Sequence, residues 1–100
     1  MRSADNFRER QPDLQERSPR DPAPRLKRRR QHSAARYRVG TRIRAARLHA
    51  NLSQEDVAEQ VGLDRKTIYR IELGTIGARL DWLVEISHAV GAELADLVRE

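Results

Sequence analysis

The sequence of 100 residues contains no cysteine, which excludes disulfide bonds, thiolate metal sites and a cysteine nucleophile. No apolar run approaches the roughly 20 residues that cross a bilayer, so we expect no integral membrane protein. No apolar block follows Met1, so we also expect no secretory signal. These absences favour a cytoplasmic chain. Its 20 Lys and Arg residues against 15 Asp and Glu, a formal net charge of +5, favour an anionic partner such as nucleic acid.

The chain divides into two segments of unlike composition. Residues 1–36 hold all four prolines and no glycine, and their 11 basic and 5 acidic side chains give a net charge of +6. Residues 37–100 hold all five glycines and 30 of the 38 apolar residues, with a net charge of −1. The first segment has too little apolar surface to offset the entropy of chain ordering. The sequence therefore predicts a disordered basic tail over residues 1–36 and one small folded domain over residues 37–100.

The first three helices of this domain are indicated by periodicity and by capping residues. Apolar residues at spacings of three and four predict a helix over Ala35–Ala50. Ser53, with Asp56 at the capping-box position, predicts the start of a second helix that ends at Gly62. Asp64 predicts the start of a third helix, which runs towards Gly74.

Two further helices complete the predicted domain. The fourth has an inward face made of Leu80, Leu83, Ile86 or Ser87, and Val90, and it ends at Gly91. The last is short and carries Leu94, Leu97 and Val98. No stretch alternates convincingly as a strand, so the sequence predicts an all-α domain of about five short helices.

The segment from Ser53 to Gly74 resembles the helix-turn-helix of the Cro and phage-repressor family, which includes regulators of the xenobiotic-response-element type. The features that carry the resemblance are a Ser-Gln pair that opens a helix, a small residue at the helix crossing, a glycine in the turn, and a fixed order of residues in the next helix: Ser53, Gln54, Ala58, Gly62, Ile68, Ile71, Glu72 and Gly74. The similarity covers Tyr37 to Val98. It implies a lambda-repressor-like fold and a sequence-specific DNA-binding regulator of transcription.

The resemblance also implies roles for individual residues. In the family, the Gln that opens the second helix contacts a phosphate, and residues of the third helix read base edges in the major groove. A position ahead of the fourth helix meets the DNA backbone or the minor groove. The corresponding residues here are Gln54, Arg65, Lys66, Thr67, Arg70 and Arg79. Because arginine prefers guanine and no Asn or Gln occupies the reading positions, we expect a guanine-containing half-site.

Two further sets of residues follow from the resemblance. Arg47 and Glu72 match a basic and an acidic position that form an ion pair between the first and third helices. Family members dimerise through the fifth helix and the neighbouring surface, and the candidates for that interface are Trp82, Leu94, Leu97 and Val98. We expect a homodimer that represses transcription from a palindromic site on double-stranded DNA in the cytoplasm, associated with the nucleoid.

Other functions remain open at this point. An antitoxin would bind its own operator and neutralise a toxin, or another regulatory protein, through the N-terminal tail. An adaptor would use the same fold to bind protein, with DNA secondary. An enzyme is not expected, because the sequence has no phosphate-binding loop and no nucleophile with a nearby base. The three histidines share no metal-ligand spacing, so neither a metal nor another cofactor is expected.

Overall fold

The computed structural model describes residues 22–100, with side chains from residue 25 onward. These residues form five helices and no strand: α1 (Pro22–His49), α2 (Gln54–Val61), α3 (Arg65–Leu73), α4 (Leu80–Val90) and α5 (Leu94–Val98). The prediction of an all-α domain with five helices is confirmed. None of the helices in these residues is long and apolar enough to cross a membrane.

Helix α1 begins earlier than the sequence predicts. Residues 22–36, expected to be part of a disordered tail, are helical, and residues 31–36 belong to the same compact unit as residues 37–100. Arg, Lys, Leu, Gln and Ala are good helix formers, and this stretch contains no glycine. Proline is tolerated in the first turn, where the amide has no helical partner. The rest of the predicted tail, residues 1–21, lies outside the described residues.

Helices α2 and α3 begin and end at the predicted residues. The Ser53 hydroxyl accepts a hydrogen bond from the Asp56 amide at 2.9 Å, and the Asp56 carboxylate accepts one from the Ser53 amide at 2.9 Å. Asp64 accepts a hydrogen bond from the Thr67 amide at 2.7 Å. The capping residues therefore fix the first turn of each helix locally, since every partner lies within three residues.

Capping by Asp64 predicts a pH dependence of stability. Hydrogen bonds from the side chain and the main chain of Thr67 hold the pKa of Asp64 below its ordinary value. The cap therefore stabilises the folded state above the unfolded-state pKa of about 3.9, and this stabilisation is lost as the pH falls through the lower folded-state pKa. Asparagine caps a helix without titrating. We expect acidification from neutral pH to about pH 3 to lower the Tm of Asp64→Asn less than that of the wild type. Thermal unfolding followed by circular dichroism measures this difference, and equal decreases would contradict the prediction.

One apolar core joins all five helices. Its buried members come from every helix: Ile43, Val57, Ala58, Ile68, Ile71, Ile86, Val90 and Leu97. Of the residues predicted to face inward on α4, Ile86, Ser87 and Val90 are buried. The Ser87 hydroxyl donates a hydrogen bond to the Val84 carbonyl at 2.7 Å. The prediction is wrong at Leu80, which is 66% exposed. Leu80 is the first residue of α4 and lies beyond the part of the helix that the core covers.

The main chains of α1 and α3 approach closely at Gly40. A Cβ atom at this position would lie 2.3 Å from the carbonyl oxygen of Ile71 and 2.6 Å from that of Glu72. A second close approach follows at Gly74, which ends α3 with a φ of 77° and whose Cβ would lie 2.8 Å from the Cα of Tyr37. Only glycine permits this packing of α1 on the last turn of α3.

Two arginines of α1 hold the end of α5. Arg38 Nε donates a hydrogen bond to the Arg99 carbonyl at 3.2 Å, and Arg42 Nη1 donates to the carbonyls of Leu97, at 3.4 Å, and Arg99. The last carbonyls of a helix have no partner within it and favour cations. These arginines therefore connect the first helix to the last.

Candidate nucleic-acid interface

Helices α2 and α3 form a pair joined by a short turn. Ala58 on α2 is only 4% exposed, and both Val57 on α2 and Ile68 on α3 are fully buried. Gly62, with a φ of 75°, ends α2 and opens the turn. The small side chain of Ala58 lets the two helices cross closely, and this packing fixes the direction in which the other face of α3 points.

The outward face of α3 is cationic. Arg65, Lys66 and Arg70 are exposed, and Thr67 is half-buried near the start of the helix. The acidic residue of this helix, Glu72, is 5% exposed and lies on the buried side with Ile71. Positive charge is therefore separated from negative charge across α3, and the surface that solvent meets is one that attracts anions.

A buried ion pair connects α1 to α3. Arg47 Nε lies 2.6 Å from Glu72 Oε2, and Arg47 Nη2 donates to Glu72 Oε1 at 3.0 Å. Arg47 Nη1 also donates to the Leu52 carbonyl at 2.9 Å. The hydrogen bond to Glu72 raises the pKa of Arg47 above its ordinary value. The pair that the resemblance implies is therefore present, in a bidentate arrangement.

Gln54 extends this ion pair to the surface. Its side-chain amide nitrogen donates to Glu72 Oε1 at 3.1 Å, and its side-chain oxygen accepts a hydrogen bond from Arg65 Nη1 at 3.2 Å. A continuous chain of hydrogen bonds thus runs from Arg47 through Glu72 and Gln54 to Arg65. We call these four residues the polar relay. Because Glu72 can only accept, it fixes which end of the Gln54 amide faces Arg65.

Every residue of the polar relay is a predicted site residue, but the sequence does not predict the hydrogen bonds that connect the ion pair to Arg65. Gln54 and Arg65 each directly follow a capping residue and occupy the first position of a helix. The turn, however, joins the end of α2 to the start of α3, so spacing along the chain gives no sign that the two side chains meet.

Arg79 lies apart from the polar relay. It is exposed at the residue before α4, makes no side-chain capping bond, and its guanidinium carbon lies 5.9 Å from the centre of the Trp82 ring. This distance is typical of a cation–π contact. Trp82 itself is partly buried against the core, so the Arg79 guanidinium lies against a ring that the core holds in place.

The structure corrects one of the four predicted interface residues. Leu97 is 2% exposed and belongs to the core of its own chain, so it offers no surface to a second copy. Val98 is 41% exposed, and Leu94 and Trp82 are partly exposed.

The chain is similar to a known domain family and to known structures. A family model described as a helix-turn-helix domain matches residues 38–100. The restriction-modification controller protein C.AhdI from Aeromonas hydrophila is 31% identical and superposes with a TM-score of 0.61, over 64% of this chain and 97% of that chain. The clp gene regulator ClgR from C. glutamicum shares the fold, with 24% identity and a TM-score of 0.60 over 63% of this chain and 82% of that chain. None of the curated proteins compared with the chain matches it.

Proposed function

The chain belongs to the helix-turn-helix domain family of the Cro/C1 type, whose members are DNA-binding transcription regulators and not enzymes, and from this premise we propose that it represses transcription by binding a palindromic operator as a homodimer. One observation carries the proposal, namely the cationic outward face at the start of α3. The similar structures C.AhdI and ClgR belong to proteins whose names describe control of a restriction-modification system and of clp genes. An operator on the chromosome would place the protein in the cytoplasm with the nucleoid.

The residues of this face divide into two roles. Arg65, Lys66 and Arg70 read base edges in the major groove, and Thr67 offers a hydroxyl to phosphate or a methyl group to thymine. Gln54 and Arg79 contact the DNA backbone. The exposure of the three cations supports their contact with DNA; the one acidic group near them is the exposed cap Asp64, which interacts with Lys66 and Arg70. Arginine binds the O6 and N7 atoms of guanine in a bidentate way, so the half-site contains guanine.

Binding-site selection with the full chain tests this function. We expect an inverted repeat whose half-sites contain guanine and lie about one helical turn apart, ~34–36 Å. Recovery of half-sites made only of A and T, or of no preferred sequence, would contradict the proposal.

Arg70→Ala is expected to weaken binding to the selected operator by roughly 10-fold to 100-fold, because a bidentate contact to guanine contributes about 1–3 kcal/mol of discrimination. Binding to a scrambled duplex should fall much less. Fluorescence anisotropy on both duplexes measures the two effects. Arg44→Ala is the matched control, since Arg44 is an exposed cation on α1 whose removal changes the charge equally. Equal losses on both duplexes would show that Arg70 contacts phosphate rather than a base.

For the dimer, we propose a surface built on Val98, with Leu94 and Trp82 beside it. Exposed apolar side chains on α5 and α4 support this choice. Val98→Asp is expected to shift sedimentation equilibrium towards the monomer and to weaken binding to the palindrome, while binding to a single half-site is unchanged. Leu48→Asp on α1, where Leu48 is 48% exposed, is the control for adding an acidic side chain at an exposed apolar position. A dimer that survives Val98→Asp would exclude this surface.

A further inference from the structure

The first part of α1 carries a dense block of cations. Five of the six residues from Arg25 to Arg30 are Lys or Arg, and no Asp or Glu occurs anywhere from residue 22 to residue 54. Residues 25–30 are all exposed. The charge of this block is therefore not compensated by acidic residues on the same helix.

Three of the five arginines further along α1 have partners within the chain. Arg38 and Arg42 donate to carbonyls at the end of α5, and Arg47 pairs with Glu72. In contrast, no hydrogen bond or ion pair joins Lys27, Arg28, Arg29 or Arg30 to any other residue that the structure describes. We call these four residues the basic collar. Nothing in the fold of residues 25–100 accounts for their charge.

The helix distributes the basic collar around its whole circumference. Consecutive residues of an α-helix are rotated by about 100°, so four in a row point in four directions that together encircle the axis. Lys27 and Arg30, three residues apart, are neighbours on the helix surface and repel each other. Such a turn has no apolar face with which to pack against a protein core. A partner that supplies negative charge on more than one side relieves the repulsion among its four cations.

We propose that the basic collar is a second DNA-binding element, which contacts backbone phosphates and reads no bases. The choice of DNA follows from the arrangement of the charges: a DNA groove has a row of phosphates along each side, whereas an acidic protein surface meets only one face of a helix. The proposal rests on the proposed function, since it assumes that α3 brings the chain to DNA. It adds affinity that is independent of sequence to the specific contacts of α3.

The salt dependence of DNA binding tests the basic collar. The variant Lys27→Gln/Arg28→Gln/Arg29→Gln/Arg30→Gln removes the four charges and retains side chains that favour helix. Each phosphate contact contributes about −0.9 to the slope of log K against log salt, and the two protomers of the proposed dimer together lose eight charges, so the slope should become less steep by about 7. Between about 50 and 200 mM salt, the wild-type dimer should then lose roughly 10⁴-fold more affinity than the variant. The change should be the same on the selected operator and on a scrambled duplex.

A charge-preserving variant and a folding measurement complete the experiment. Arg28→Lys/Arg29→Lys/Arg30→Lys should keep the slope of the wild type, because counterion release depends on charge, and all variants should keep the wild-type Tm. An unchanged slope in the glutamine variant overturns the proposal, and so does a loss confined to the operator. Failure of the proposed function is a separate result, in which the wild type binds operator and scrambled duplex equally while the slopes still report on the basic collar.

Discussion

Gly40→Ala is expected to lower the free energy of unfolding by about 3 kcal/mol or more, although alanine is the better helix former by about 1 kcal/mol. The added Cβ would lie 2.3 Å from the Ile71 carbonyl oxygen and 2.6 Å from that of Glu72. Both are main-chain atoms, so no change of rotamer relieves the clash and α1 must move away from α3. A domain of this size has a total stability of only about 4–10 kcal/mol. Urea unfolding measures the loss, and the Tm should fall by roughly 12–24 °C.

Gly62→Ala is the control for this variant. A Cβ at Gly62 meets no atom within 4 Å, but the residue has a φ of 75°. Replacing it with alanine therefore lowers the free energy of unfolding only by the cost of the left-handed conformation, about 1–2 kcal/mol. We expect Gly40→Ala, which is helical and gains intrinsic helix propensity, to be the more destabilised of the two. A Gly40→Ala protein as stable as the wild type would mean that α1 and α3 do not approach as closely as described.

The helix ends could be predicted because their causes are local. Ser53, Asp56 and Asp64 each bond to an amide within three residues, so the pattern is complete in a short stretch of sequence. The need for glycine at position 40 is different, since it comes from carbonyls at the end of α3. Periodicity within α1 contains no information on that approach.

The length of α1 shows where the composition argument fails. Few apolar residues and high charge predicted disorder up to residue 36, because such a segment cannot bury a core. Once the buried part of α1 has formed around Ile43, however, each further residue adds one hydrogen bond without the cost of a new nucleus. The helix therefore continues back to Pro22 through residues that contribute nothing to the core.

For the candidate site, the resemblance supplied the residues and the structure supplied their connections. The resemblance implied three separate roles: Gln54 contacts a phosphate, Arg65 reads a base edge, and Glu72 forms an ion pair that holds two helices together. Hydrogen-bond directions depend on side-chain geometry across three helices, which spacing does not encode. The polar relay makes the three roles interdependent, since the carboxylate that pairs with Arg47 also orients Gln54.

Removing Glu72 is therefore expected to affect both stability and DNA binding. Glu72→Ala leaves Arg47 charged and buried, at 7% exposure, and breaking such a pair typically costs about 3–5 kcal/mol. Replacing both partners with apolar residues, as in Arg47→Met/Glu72→Leu, should recover most of this loss because no buried charge is left unpaired. Urea unfolding of the two variants and the wild type measures the stability effect.

The double variant distinguishes the effect of the ion pair on stability from its effect on the orientation of Gln54 and Arg65. In Arg47→Met/Glu72→Leu the Gln54 amide has lost its acceptor at Glu72, so neither Gln54 nor Arg65 is held in its orientation. Loss of one such hydrogen bond corresponds to about 0.5–1.5 kcal/mol, and we expect operator affinity to fall by roughly 2-fold to 13-fold even where the fold is as stable as the wild type. Binding to a scrambled duplex should change less. If the double variant binds the operator as tightly as the wild type, the ion pair is purely architectural and the polar relay does not position the reading residues.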